Sequence, residues 1–281
     1  MGKKTVVFGS FVVDLMGRTP HLPAAGETVK GTVFKMGPGG KGFNQGVAAH
    51  KAGADVTMVT KLGRDSFADI ALNTMKDLGM KQDRILYSDD TETGCALIMV
   101  DENTSQNEIV VILGSCNTIS DAEVDSLEDL LDGSEYLLTQ LETNVSSVER
   151  IVDIACKKGV KVILNTAPIQ PISDELLSKV DLITPNEVEA EILTGVKVDS
   201  EEAADKAAEW FFHKGVKRVL ITLGGRGVYI NTRDKKGIIP AYKVNAIDTT
   251  GAGDAFNGGL LAALAEDKDI WDAADFANAL A

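Results

Sequence analysis

The sequence predicts an α/β protein in which a mostly parallel sheet carries helices on both faces and a small β element stands apart. Three observations lead there. Short β-branched runs alternate with longer amphipathic stretches along most of the 281 residues, the pattern of strand–helix–strand units. The strand runs are apolar throughout rather than at every second position, as strands covered on both sides must be. Two stretches, 15–36 and 94–113, break the alternation with strand patterns of their own.

In chain order, residues 5–8 form the first strand. The stretch 15–36 follows, rich in turn residues and ending in an alternating strand over 32–36. A helix over 43–52, a strand over 56–62 and a helix over 67–78 come next. Residues 94–113 contain CALIMVD, ENTSQN and EIVVIL, a hairpin with a six-residue polar connection. Beyond it lie a strand over 136–141, a helix over 145–157, and strands over 160–164 and 181–184. Helices over 188–193 and 203–213, a strand over 219–223 and a helix over 255–265 complete the series. In the last helix Phe256, Leu260 and Leu264 recur on one face. No Pro-, Gly- or Ser-rich linker and no internal repeat divides the chain, so one domain over 1–281 is expected. Strands that interrupt such a series usually form a separate small sheet. At the carboxyl ends of the parallel strands that sheet is a lid over a ligand site; elsewhere it is an ordinary edge hairpin.

Composition narrows the function. Hydrophobic residues make up 44% and charged residues 25%, which excludes a disordered chain, a collagen and a membrane bundle. The 28 Lys and Arg against 42 Asp and Glu give a net charge of −14. Such a surface repels phosphate backbones, so no nucleic-acid partner is expected, although a small phosphorylated ligand can bind at a locally positive site. Cys95, Cys116 and Cys156 are far apart and form no C-x-x-C, and they read as reduced thiols. The first apolar run is shorter than the about 7–15 residues of a secretory core or the about 20 of a membrane span. Val6 stands where a myristoylation site needs Ser or Thr. A cytoplasmic protein without a membrane partner is expected.

Two glycine-rich loops run into helices. Gly37-Pro38-Gly39-Gly40-Lys41-Gly42 matches the dinucleotide fingerprint G-x-G-x-x-G. The next strand, however, ends near Lys61, where a ribose-binding acid belongs. Gly42 after Lys41 also excludes a Walker A loop. What survives is a backbone able to approach a ligand closely, followed by Asn44 with both a donor and an acceptor. The second loop, Asp248-Thr249-Thr250-Gly251-Ala252-Gly253-Asp254, leaves the N–H groups of a helix N-terminus unobstructed. That suits an anion, such as a phosphoryl group gathering charge in flight. Asp254 is an odd choice for a passive anion binder, but its carboxylate can accept a proton from an attacking hydroxyl. The plainer alternative is that Asp248 and Thr249 cap the helix and Asp254 favours its dipole.

DTTGAGD resembles a signature of the ribokinase-like sugar kinases, also called the phosphofructokinase-B family. GPGGKGFNQGVAAHKAGA is similar to their other signature, and the likeness runs from Val6 to the last residue. Further blocks are GSFVVD, PAAGET, KLGRDSF, LLTQLE, ILNTAP, TPNEVEAEILTG and LITLGGRGV. Among the branches, QLE, N-x-AP and PNExE look most like the ribokinases. The resemblance implies a doubly wound fold with a small β lid that often mediates a homodimer. It also implies an ATP-dependent kinase for the 5-hydroxyl of ribose, with Asp254 as catalytic base and Gly251, Ala252 and Gly253 as anion hole. Sugar-binding positions map to Asp14, Gly40, Lys41, Asn44 and Glu142. Asn186, Thr222, Gly224, Gly227 and Asn278 map to the nucleotide. Glu189 would order water around Mg²⁺, and Asp248 and Thr250 match part of a K⁺ site. His21, His50 and His213 map to no catalytic role.

Two departures qualify that mapping. Ribokinases read GS-x-N-x-D, whereas Val12 replaces the Asn here. An apolar residue there is similar to deoxyribokinases, which makes 2-deoxyribose an alternative substrate. Family members also continue past FANALA with a strand and turn that complete the adenine and cation sites. The C-terminal end of the family fold is therefore expected to be missing at Ala281. A catalytically weakened sugar- or nucleotide-binding homologue is the corresponding alternative.

Overall fold

A computed structural model describes residues 2–104, 106–244 and 249–281. Its strands begin with β1 (Lys4–Phe8), β2 (Val12–Thr19), β3 (Val33–Gly39), β4 (Asp55–Val59), β5 (Lys61–Leu62), β6 (Leu86–Tyr87) and β7 (Thr93–Asp101). They continue with β8 (Asn107–Gly114), β9 (Tyr136–Thr139), β10 (Lys161–Leu164), β11 (Leu182–Ile183), β12 (Arg218–Thr222), β13 (Val228–Asn231) and β14 (Lys236–Ile239). The first helices are α1 (Lys41–Lys51), α2 (Ser66–Asp77), α3 (Asp121–Asp125), α4 (Glu128–Leu131) and α5 (Val145–Lys157). Then come α6 (Asp174–Ser178), α7 (Glu187–Thr194), α8 (Glu201–His213), α9 (Ala252–Ala265) and α10 (Ile270–Leu280).

The eight-stranded main sheet has the order β14-β13-β12-β11-β10-β9-β1-β4. Neighbours from β12 to β4 are parallel, and β13 and β14 are added antiparallel. Side chains alternate between two cores with the strand period of two. Val6, Leu137, Val162 and Val219 enter one core, while Val7, Leu138, Ile163 and Leu220 enter the other. Helices α3 to α8 cover the first face, and α1, α2, α9 and α10 cover the second. This is the doubly wound architecture that the resemblance implies. Strand order reverses between β1 and β9, and the crevice at the carboxyl ends of those two strands is where such sheets bind ligands.

The stretches that broke the alternation form a separate sheet of order β3-β2-β7-β8. Its hairpin pairs Ile98 with Ile109, as the sequence pattern requires. The sheet spans residues 12–39 and 93–114, wider than the expected 15–36 and 94–113. One of its faces leaves Phe34, Met36, Leu97, Val110 and Ile112 exposed, Phe34 by 69%.

Other boundaries also shift. The strand expected over 56–62 divides into β4 and β5, and β5 leaves the main sheet to pair with β6. The helix expected over 255–265 is α9, which starts at Ala252 and is buried nearly all round rather than on one face. Gly258 permits this, because a Cβ there would lie 2.5 Å from the Ala48 Cβ and 2.6 Å from the Gln45 carbonyl oxygen. Among the described residues, no helix is long and apolar enough to cross a membrane.

Candidate active site

The chain leaves β1 through Gly9 and Ser10 and leaves β9 through Gln140, Leu141 and Glu142, so both segments reach the switch point. There the Ser10 hydroxyl donates to Glu142 Oε2 at 2.6 Å, and the Lys41 amide donates to the same oxygen at 2.7 Å. The Gly42 amide in turn donates to Ser10 Oγ at 3.3 Å. Helix α1 thus begins directly over the β1 exit. In the first glycine loop, Gly37 to Gly39 belong to β3, and side chains at Gly40 or Gly42 would collide with the backbone of residues 9–12. Those two glycines permit helix-on-turn packing.

Asp14 projects from β2 over Gly39, where a Cβ would collide with its carboxylate. Among the described residues no donor hydrogen-bonds to either of its oxygens. Burial, reinforced by the negative charges of Glu142 and Asp254, pushes its pKa up to about 6. An acceptor held charged without a partner has the chemistry of a ligand contact.

Asp254 lies in the first turn of α9, whose N-cap is Gly251 with φ of 79°. It is 8% exposed. Its Oδ2 accepts from Asn44 Nδ2 at 3.1 Å and its Oδ1 from Gln45 Nε2 at 3.0 Å. Burial raises its pKa above the usual carboxylate value, against the opposing pull of the Lys41 cation and the two amides. The Ala252 amide donates to the Thr249 carbonyl at 3.2 Å. Among the described residues, the amides of Gly251 and Gly253 have no protein acceptor, and space is open around both. With the helix dipole, these amides make a positive end beside a proton acceptor. Asn44, Thr250, Gly251 and Asp254 share the wall of an open cleft of about 520 Å³.

The remaining expected positions form a second group. Asn186 caps α7 in a reciprocal capping box: its Oδ1 accepts from the Glu189 amide at 2.9 Å, and Glu189 Oε2 accepts from the Asn186 amide at 3.0 Å. Glu189 also accepts from Asn186 Nδ2 and from the Thr166 hydroxyl. Asn186 bridges to Thr222 in parallel fashion, and Gly224 and Gly227 form the turn that follows β12. Asn278 on α10 donates to the Pro240 carbonyl at 2.8 Å. Gly227 abuts residues 239–241, beside the Pro240 carbonyl that Asn278 contacts, so these positions run from the carboxyl ends of β11 and β12 to the end of β14. Asp248 lies outside the described residues. His21 pairs with Glu27 and His50 with the Leu78 carbonyl. Ser10, Gln45, Gln140 and Asn165 were not singled out by residue-level reasoning, although each lies within a quoted motif block.

The chain is similar to known proteins over nearly its whole length. The ribokinase of Haemophilus influenzae is 44% identical over 281 residues, which is 100% of this chain and 92% of that protein. The deoxyribokinase of Salmonella typhimurium is 38% identical over 253 residues, 90% of this chain and 82% of that one. The solved structure of Arabidopsis thaliana ribokinase complexed with ribose and ATP is similar at a TM-score of 0.90 and 28% identity, covering 99% of this chain and 91% of its own. The family model described as pfkB family carbohydrate kinase matches residues 3–281. With a doubly wound sheet, a buried acid at the start of α9 and a match over nearly its whole length, the chain belongs to the pfkB family of carbohydrate kinases.

Proposed function

We propose that this protein transfers the γ-phosphoryl group of ATP to the 5-hydroxyl of ribose, with Asp254 as general base. The observation that carries the reading is the Asp254 carboxylate, buried and doubly hydrogen-bonded beside the open amides of Gly251 and Gly253. Sequence similarity to proteins named ribokinase supports the choice of sugar. Asp254 takes the proton as the O5–H bond breaks, O5 bonds to the γ-phosphorus, and the bond to the β-phosphate oxygen breaks to release ADP. A carboxylate with a raised proton affinity suits that task near neutral pH. The helix-end amides face the charge spreading over the transferred group. Asp14, Asn44 and Glu142 accept from or donate to the ring hydroxyls, with Gly40 and Lys41 closing the same side.

Asn186, Thr222, Gly224, Gly227 and Asn278 would border the nucleotide. The donor set fits a Mg²⁺ held by phosphates and water. Asn186 and Thr166 hydrogen-bond both Glu189 oxygens, and that carboxylate would help hold the ion through its hydration shell. When bound, Mg²⁺ supplies neutralisation of phosphate charge. A K⁺ near Thr250 and Asp248 is part of the same proposal. The small sheet would act as a lid that excludes water from the transfer, and its exposed apolar face would pair two copies as a homodimer.

Val12 favours a second reading, selectivity for 2-deoxyribose. It shares a face of β2 with Asp14, two residues away. It is buried but belongs to neither core cluster, so it presents an apolar surface where an amide could meet the 2-hydroxyl. The test of the main reading is Asp254→Asn, assayed for ADP release with ribose. A fall in kcat of roughly 10²–10⁴-fold is expected, with binding of the sugar retained. Full activity in that variant would remove the mechanism.

A further inference from the structure

Three motif side chains left without a task by the reaction, Gln45, Gln140 and Asn165, converge on Asp254. Gln45 is on α1 and fully buried. Its Nε2 donates to Asp254 Oδ1 and to Asn165 Oδ1, each at 3.0 Å, while its Oε1 accepts from Gln140 Nε2 at 2.6 Å. Asn165 Nδ2 donates to the Thr184 carbonyl at 2.8 Å. The Thr184 hydroxyl donates to Asn257 Oδ1 at 2.6 Å, and Asn257 Nδ2 donates to the Gly253 carbonyl at 2.8 Å. The path runs from Asp254 through four side chains and returns to the residue before it.

The polarity of this ring has one solution. A backbone carbonyl at Thr184 can face only the NH₂ of Asn165, which turns the Asn165 oxygen toward Gln45. Gln45 must then present its NH₂ to both Asn165 and Asp254, and its oxygen to Gln140. Gln140 is left with a buried Oε1 that has no partner. Such an orphan is uncommon in folded proteins, and here it is the consequence of fixing the direction of every other amide.

We propose that Gln45 is a positioning residue: through the Asn165–Thr184–Asn257 ring it locks the Asp254 carboxylate and the Gly253 peptide into one rigid frame. The inference rests on Asp254 being the base. Gln45 holds Oδ1 and leaves Oδ2, which among the described residues only Asn44 contacts, directed at the reacting hydroxyl. Base and anion donor are thus aligned before substrate arrives, which is where a small misplacement costs most rate. Among the described residues, the charged groups that face Asp254 are Lys41 on α1, Asp14 on β2 and, behind Asp14, Glu142 after β9. None of them is altered by substitution of Gln45.

The experiment compares Gln45→Met, Gln45→Glu and Gln140→Met with wild type, using ribose and ATP. Gln45→Met is expected to lower kcat on the order of 10- to 100-fold while KM for each substrate stays within about twofold. Its acid limb in the kcat–pH profile moves to higher pH, because a donor to the ionised carboxylate is gone. Gln45→Glu moves that limb further, since it adds a second carboxyl at nearly the same volume. Gln140→Met, one bond removed, shows a smaller change in the same direction, and it decides the matter alone if the Gln45 variants do not fold by circular dichroism. An unmoved acid limb, or a rise in KM with kcat unchanged, overturns the proposal. Asp254→Asn in the same assay separates the two ideas. If it stays active, the base assignment fails. If it is inactive while the Gln45 and Gln140 variants match wild type, only the positioning role fails.

Discussion

Replacing Asp14 by Asn removes a charge that the fold makes costly, and the effect can be worked out from its surroundings. A carboxyl moved from 3.8 to about 6 on folding corresponds to about 3 kcal/mol against the native state at pH values above both. One side of the site is open to solvent and the group is only partly buried, so screening reduces this to about 1–1.5 kcal/mol. The native pKa is raised. The associated stability is therefore fully present below 3.8 and is lost as pH rises through about 6. At a typical unfolding entropy of about 2.1 cal/mol/K per residue, Asp14→Asn should raise Tm at pH 8 by about 2 °C. The gap should narrow as the pH falls through about 6 and disappear near 3.8. Thermal melts of both proteins at pH 8 and pH 4.5 provide the measurement. A variant less stable than wild type at pH 8, or a gap that ignores pH, would refute the reasoning. Saturating ribose should raise the wild-type Tm by mass action and leave that of Asp14→Asn nearly unchanged, because the sugar loses its free acceptor.

Two further outcomes test the substrate and the assembly. Val12→Asn should raise kcat/KM for ribose relative to 2-deoxyribose by about 10-fold or more, the worth of one buried hydrogen bond; an unchanged ratio removes Val12 from sugar selection. Phe34→Glu combined with Val110→Asp should convert a dimer into a monomer in light scattering at equal concentration, and persistence of the dimer would place the interface elsewhere.

What the sequence made legible follows from what a local window can see. The apolar runs of β1, β9, β10 and β12 are recognisable because both faces are buried, so every residue carries the signal. Helix α10 carries less: its buried positions Ala273, Ala274 and Ala277 are small, and small residues do not register as an apolar stripe. The better sign was Asp269, whose side chain accepts from the Trp271 and Asp272 amides as an N-cap should. Strands β13 and β14 are four residues each and sit between glycines and charged turns. The glycines of the first loop looked alike in sequence. Only the tertiary structure separates those packed on the β1 exit from the open pair, Gly251 and Gly253. Gln45 was the least legible of all, since a glutamine on a helix reads as solvent-facing and its partner Asp254 is 209 positions away.

The reading of α9 fell short for a reason that bears on the chemistry. A helix with one apolar stripe can turn its polar residues to water, and Asp254 would then be an ordinary dipole-favouring acid. Packed by α1, by α10 and by the sheet, α9 has no such exit. Asp254 and Asn257 are 8% and 2% exposed, and a buried polar group without partners is expensive. The fold must therefore bring donors to Asp254 from elsewhere, and it brings Asn44 and Gln45 from α1 through the close contact at Gly258. The same burial that raises the proton affinity of the base thus obliges the protein to fix its orientation. Loosening the α1–α9 contact would alter the rate and the pH dependence together, and no choice of residue at position 254 alone could separate them.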